Sequence, residues 1–146
     1  MGERRLDEID ISTDRARLDM DAIHAFLKVA YWSVGLPREV LERAIANSLC
    51  FGAYQGAIQV GFARVVTDSA TFAWVCDVFV VPSHRQRGIA DALMEAIKAH
   101  PQLQGLRRWS LATRDAHALY RRHGFGQLAQ PETAMEIRRL DVYQRR

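Results

Sequence analysis

The sequence predicts an α+β fold, a mixed and mostly antiparallel sheet with helices on both faces. Three observations carry that expectation. The apolar period along the chain switches between two and about 3.6 residues. Three apolar runs rich in β-branched and aromatic residues stand mid-chain, joined by connections short enough to be hairpins. A helical segment then separates the third run from a further strand, the crossover that makes two neighbouring strands parallel.

Taken in order, Ile9 to Thr13 reads as a first strand. Asp19 then N-caps a helix whose apolar set Ile23, Phe26, Leu27 and Ala30 recurs at helical spacing, with Gly35 as its stop. Pro37 suits the first turn of a second helix with the stripe Val40, Leu41, Ala44 and Ile45, ending before Asn47. Leu49 to Tyr54, Gln59 to Thr67 and Phe72 to Val81 form the meander, with turn residues at Gln55-Gly56 and Asp68-Ser69. Ile89, Leu93, Ala96 and Ile97 make one face of a third helix, which ends near His100 before Pro101. Trp109 to Ala112 is a fifth strand, and Ala116, Leu119, Tyr120 and His123 give a short helix closed by Gly124. Thr133 to Arg138 reads as a last strand, whose edge is where a homodimer contact would form. No repeat or proline-rich linker divides the chain, so one domain is expected over residues 7–140, with short frayed tails at 1–6 and 141–146.

Composition removes several classes of function. The chain has 146 residues, 49% hydrophobic and 25% charged, which excludes a wholly disordered or collagen-like protein. No apolar run approaches the roughly 18 residues of a membrane span, and no apolar stretch follows the basic residues near Met1, so a cytoplasmic protein without membrane partners is expected. A net charge of +3 without interleaved aromatics argues against nucleic acid. Cys50 and Cys76 sit in apolar stretches and are expected as buried free thiols. His24, His84, His100, His117 and His123 show no metal-ligand spacing, so no metal is expected.

The chemistry concentrates in Val78-Phe79-Val80-Val81-Pro82-Ser83-His84-Arg85-Gln86-Arg87-Gly88-Ile89-Ala90-Asp91. A buried strand here runs into a polar, glycine-containing turn that opens a helix, a geometry that leaves backbone N–H groups unpaired and pointing one way. Gly88 allows close approach of an anion, Ala90 is small, and Arg85 and Arg87 add positive charge. Further on, Ala116-His117-Ala118-Leu119-Tyr120-Arg121-Arg122-His123-Gly124-Phe125 is a short helix with a tyrosine, followed by Gly-Phe.

Together these segments resemble the GNAT superfamily of acyl-CoA-dependent N-acetyltransferases. The order of elements matches over nearly the whole chain, while motif-level similarity is confined to residues 74–91 and 113–125. The resemblance implies a GNAT-like fold in which the strand before the loop splays from its parallel neighbour. The main chain of Val78, Phe79 and Val80 would then pair with the pantetheine arm of acetyl-CoA. Gln86 to Asp91 would hold its pyrophosphate, and Tyr120 would protonate the departing thiolate. Two positions depart from the family pattern: Thr113 stands where many members have asparagine, and Ala90 where glycine is more frequent.

The implied activity is transfer of an acetyl group from acetyl-CoA to a primary amine of a small molecule or peptide, by direct attack in a ternary complex. The alternative is a non-catalytic acyl-CoA sensor or protein-interaction module with the same fold. Asp77, the only charge in Phe72 to Val81, is the candidate proton acceptor, and its competing duty is an ion pair with Arg64. A two-residue turn at Ser69-Ala70 would set Arg64 opposite Val75 and make Arg64 and Asp77 diagonal neighbours. Arg64 could instead bind an acceptor carboxylate. Tyr31 and Trp32, on the connection between the first two helices, either line an acceptor pocket or pack that helix end onto the sheet.

Overall fold

The computed structural model describes residues 8–145. Its elements are β1 (Ile9–Ser12), α1 (Met20–Leu27), α2 (Arg38–Ala46), β2 (Leu49–Gln55), β3 (Ile58–Thr67), β4 (Phe72–Val80), α3 (Ile89–Ala99), β5 (Arg108–Ser110) and α4 (His117–Arg121). The strands form one sheet in the order β1-β2-β3-β4-β5. All pairs are antiparallel except β4 and β5, which run parallel as the crossover requires.

Helices cover both faces. α3 lays Ile89, Leu93, Met94 and Ile97 into a core with Phe51, Val60, Val65 and Val75, and Tyr120 of α4 joins the same cluster. α1 and α2 close the other face with Ile23, Leu27, Leu41 and Ile45 over Cys50, Phe62 and Phe79. Each such fully buried aliphatic side chain stabilises the fold by about 1.5–3 kcal/mol relative to exposure. Gly61 permits the approach of α3: a Cβ there would sit 3.2 Å from Ala53 Cβ and 3.4 Å from Ile89 Cγ2.

Several boundaries differ from the sequence expectation. α1 ends at Leu27, well before Gly35, because Ser33 Oγ donates to Leu27 O and Gly35 N–H closes a loop on Lys28 O, with φ +82° at the glycine. The β3–β4 turn is not two residues long. The Asp68 carboxylate accepts from the N–H groups of Ala70, Thr71 and Phe72 and from Thr71 Oγ1, which organises a longer loop and holds its own pKa far below the carboxylate range. The register moves accordingly, and Arg64 faces Cys76 rather than Val75.

Thr133 to Arg138 is not a strand. Pro131–Thr133 forms a single 3₁₀ turn, and the following residues run exposed without a partner in the sheet. At the C-terminal end, residues expected to fray instead form a 3₁₀ turn, Val142–Arg145, with Tyr143 packed against the α1–α2 core. The expected tail at 1–6 lies outside the described residues. Cys50 is a buried and Cys76 a half-buried free thiol. Among the described residues, no helix is long and apolar enough to cross a membrane.

Candidate active site

β4 and β5 pair only from Phe72 to Trp74 and from Arg108 to Ser110. Beyond Trp74 the outer edge of β4 faces open space, and the sheet splits there into a V. The arms of the V are built differently. On the β4 side, Pro82–His84 makes a 3₁₀ turn, Gln86 takes φ +62° and Gly88 φ +81°, and α3 begins at Ile89 with no side-chain cap. His84 and Arg85 N–H groups bond back to Val81 and Pro82, whereas those of residues 86–91 donate to no group among the described residues. Six unpaired amides, running from this loop into the first turn of an eleven-residue helix, offer a cradle for an anion.

A cleft of about 520 Å³ joins this cradle to the V. Of the expected cofactor residues it is lined by Val78, Phe79, Val80, Arg85, Gln86, Gly88, Ile89, Ala90 and Asp91, with Tyr120 on the far wall. Three residues behave differently from expectation. Arg87 does not line the cleft. Arg85 Nε donates to Val80 O, so its guanidinium folds back on the end of β4. Thr113 also stands outside the cleft, because its Oγ1 accepts from Ala116 N and organises the approach to α4. The Asp91 carboxylate is held by Arg122 at 3.1 Å and His123 at 2.7 Å, which tie α3 to the end of α4. These bonds, Arg122's first, hold its pKa below the ordinary carboxylate value.

A second cavity, of about 260 Å³, opens on the other side of Tyr120. Tyr31, Trp32 and Trp74 give it aromatic walls, and Cys76, Asp77 and Asp115 line it as well. The two cavities share Trp32, Val78, Asp115, Ala116 and Tyr120, so a group in one can reach a group in the other. Tyr31 and Trp32 meet edge to face at 5.0 Å. Tyr31 also anchors the opposite loop: its hydroxyl accepts from Arg114 N, and the Arg114 guanidinium stacks 3.7 Å from its ring centre.

Asp77 reaches this cavity through a bulge. With Arg64 opposite Cys76, simple alternation would send Asp77 to the other face of the sheet. Asp77 instead takes φ +56° where the β3–β4 register shifts between Phe62 and Arg64, and its carboxylate returns to Arg64. Arg64 Nε donates to Asp77 Oδ2 at 2.7 Å, and Trp32 Nε1 donates to Asp77 Oδ1 at 2.9 Å. Both oxygens are thus engaged in a pair whose side chains are only 19% and 11% exposed. Arg64 is equally committed, with NH1 on Ser48 Oγ, and it lines neither cavity. The ion-pair duty is therefore the one the geometry realises, and Arg64 is not displayed to an acceptor carboxylate.

Tyr120 is 9% exposed, with Phe125 edge-on at 6.1 Å. Burial, reinforced by Tyr31, Asp115 and Cys76, pushes its pKa up to about 12, which keeps the phenol protonated at neutral pH. Burial likewise pushes the Cys76 thiol up to about 12, so it is no thiolate nucleophile. Among the lining residues not selected from the sequence, two stand out. Phe26 stacks on Phe79 at 4.0 Å and walls the larger cleft from α1. Asp115 lines both cavities, is exposed, and makes no hydrogen bond or ion pair among the described residues. Its place before the short helix carried the only hint, and nothing in the sequence pointed it at Tyr120. Among the described residues, no three His, Cys, Asp or Glu side chains are grouped to hold a metal.

Known proteins resemble this chain in sequence and fold. The profile of the acetyltransferase (GNAT) domain matches residues 46–127. A candidate acetyltransferase of Gibberella zeae is 34% identical over 134 residues, covering 75% of this chain and 74% of that protein. Mycothiol acetyltransferase of an Arthrobacter species is 31% identical over 108 residues, 73% of this chain but 29% of that longer protein. Among solved structures, a candidate GNAT-family acetyltransferase from Xanthomonas campestris pv. campestris superposes with a TM-score of 0.90 at 49% identity, covering 92% of this chain and 96% of that one. A candidate acetyltransferase from Clostridium acetobutylicum, solved with acetyl-CoA, shares the fold with a TM-score of 0.67 at 11% identity, covering 89% and 96%.

Proposed function

The chain belongs to the GNAT acetyltransferase family, and on that premise we propose that it moves an acetyl group from acetyl-CoA to a primary amine by direct attack. The observation that carries the reading is the junction at Tyr120, where an anion-cradling cleft meets a small aromatic cavity. The free amides of residues 86–91 suit the pyrophosphate of acetyl-CoA, and the unpaired outer edge of β4 at Val78–Val80 suits its pantetheine amides. That donor set fits the co-substrate without any metal ligand.

The amine then sits in the second cavity. Its aromatic walls accept a cationic, partly apolar acceptor, and among the described residues no lysine or arginine lines it to hold a carboxylate. Asp115 holds the incoming ammonium and, through water, takes the proton whose loss frees the nitrogen lone pair. The nitrogen forms a bond to the thioester carbonyl carbon, the carbon–sulfur bond breaks, the sulfur takes the phenolic proton of Tyr120, and the second proton shed by the nitrogen as the amide forms returns through water to the Tyr120 phenolate. Asp77 serves as a positioning residue that fixes Trp32 and the β4 bulge. A cytoplasmic setting suits a reaction that consumes acetyl-CoA.

The test is a thermal-shift titration with acetyl-CoA and CoA, followed by an amine screen read as free thiol. A ligand of the folded state raises the melting temperature with concentration. A saturable shift that vanishes in Gly88→Asp, with thiol release on adding an amine, is the expected result. A shift without thiol release under any amine would mark a non-catalytic acyl-CoA sensor. Absence of any shift would overturn the reading.

A further inference from the structure

We infer that the amine taken by this site carries an oxyanion, a carboxylate or a phosphate, at its far end, an inference that rests on the acetyl-transfer reading above. The aromatic cavity beside Tyr120 does not stand alone. Tyr31, Trp32, Ala112 and Thr113, which line it, also line a larger groove of about 850 Å³, so the two spaces adjoin. The C-terminal turn forms another wall of that groove, fixed in place by the packing of Tyr143 on the α1–α2 core.

The two spaces are opposite in charge. Asp77 and Asp115 line the cavity with no lysine or arginine, whereas Arg114, Arg138 and Arg139 line the groove with no aspartate or glutamate among the described residues. Arg64 already neutralises Asp77, so Asp115 is the acid left for an ammonium. The cations of the groove have little to neutralise them. Arg138 meets Glu136 only at 3.8 Å with both side chains more than half exposed, a pairing worth little, and Arg114 and Arg139 make no ion pair among the described residues. Arg114 uses the face of its guanidinium on the Tyr31 ring, 3.7 Å from its centre. A stacked guanidinium keeps its in-plane N–H donors for an oxyanion, which it can hold through two parallel bonds. Three like charges along one groove repel one another, and an anion supplied from outside relieves that repulsion.

A site with an acid at one end and cations at the other selects a molecule with its charges in the reverse order. The ammonium lies toward Asp115 and Tyr120, and the oxyanion lies in the groove. A diamine would set its second charge against Arg114 and be rejected. Anchoring the far end also orients the molecule, because it holds the nitrogen beside the thioester.

The test is kcat/KM from thiol release with acetyl-CoA, over alkylamines, α,ω-diamines, ω-amino carboxylates and ω-aminoalkyl phosphates of increasing length. The anionic amines are expected to exceed alkylamines of equal length by about tenfold or more at one optimum length, and the better anionic series identifies the group. That ratio should shrink as salt is raised. Arg138→Gln/Arg139→Gln, which leaves the Arg114–Tyr31 stack in place, and separately Arg114→Gln are expected to bring the ratio toward one through the KM of the anionic amine. The acetyl-CoA thermal shift of each variant reports that its fold is kept. Alkylamines or diamines used as well as anionic amines would overturn this inference and leave acetyl transfer standing. So would a preference that both variants retain, or one equal at every length, which is attraction to a net positive chain and not a fixed subsite. Thiol release with no amine of any series overturns the transfer reading and this inference together.

Discussion

The two arms of the V solve opposite problems. β4 is nine residues long, bulged, and paired with β3 along its length, and the loop after it presents main-chain amides. β5 is three residues long, pairs on one side, and leads to a loop and the short helix α4, which present Asp115 and Tyr120 as side chains. Backbone groups bind whatever anion fits, whereas side chains can be exchanged without disturbing the sheet. The difference teaches that the rigid arm suits the invariant half of a transfer reaction and the looser arm its acceptor and its acid–base work.

The largest expected effect tests the rigidity of the β4 arm. Asp77→Ala leaves the Arg64 guanidinium buried without its partner and should destabilise the protein by about 3–5 kcal/mol, seen as a lower urea midpoint. The double variant Arg64→Met/Asp77→Leu should recover most of that, and its failure to do so would mean the bulge itself depends on the pair. Next comes the chemistry of the β5 arm. Tyr120→Phe should lower kcat by about 10²-fold with little change in acetyl-CoA affinity, measured by steady-state kinetics beside a binding isotherm. Equal turnover would remove the phenol from the mechanism.

A smaller effect separates acceptor from co-substrate. Asp115→Asn should raise the amine KM by about tenfold, the equivalent of one charge-assisted hydrogen bond, and leave the acetyl-CoA KM alone. A change in both would mean that Asp115 also contacts the co-substrate, whose cleft it lines. The smallest effect concerns the tie between the arms, Asp91 with Arg122 and His123. A carboxylate with depressed pKa contributes stability above its unfolded pKa, and that stability is lost as pH falls through the folded value. Because Asp91 is a third exposed, solvent screening keeps this below about 1 kcal/mol. Melting curves of the wild type and Asp91→Asn should therefore converge on acidification through the carboxylate range.

Legibility in the sequence follows the same division. β2, β3, β4 and α3 were readable because their apolar periods are local and strong, and the cradle was readable because Gly88 and the strand-loop-helix order lie within one short stretch. Tyr120 was found only through the pairing of two motifs. The β3–β4 register was misjudged because an aspartate can satisfy three amides at once and lengthen a turn that composition alone makes look tight. The fifth strand was readable at Trp109 to Ala112 and forms at Arg108–Ser110, whereas the strand expected at 133–138 does not form, because alternation states what a segment can pair with, not whether a partner edge is within reach.

By itself the sequence determined the α+β class, the two helical layers, and the amide cradle after β4, since propensity, period and a glycine act within a few residues of one another. Only the tertiary structure decided that Asp77 turns back to Arg64 and Trp32, that Arg64 is withdrawn from the acceptor, and that Asp115 stands beside Tyr120. Those outcomes depend on a bulge and on loops meeting across the sheet, where Asp77 finds partners 13 and 45 residues away and the contacts exist only once the chain has closed around them.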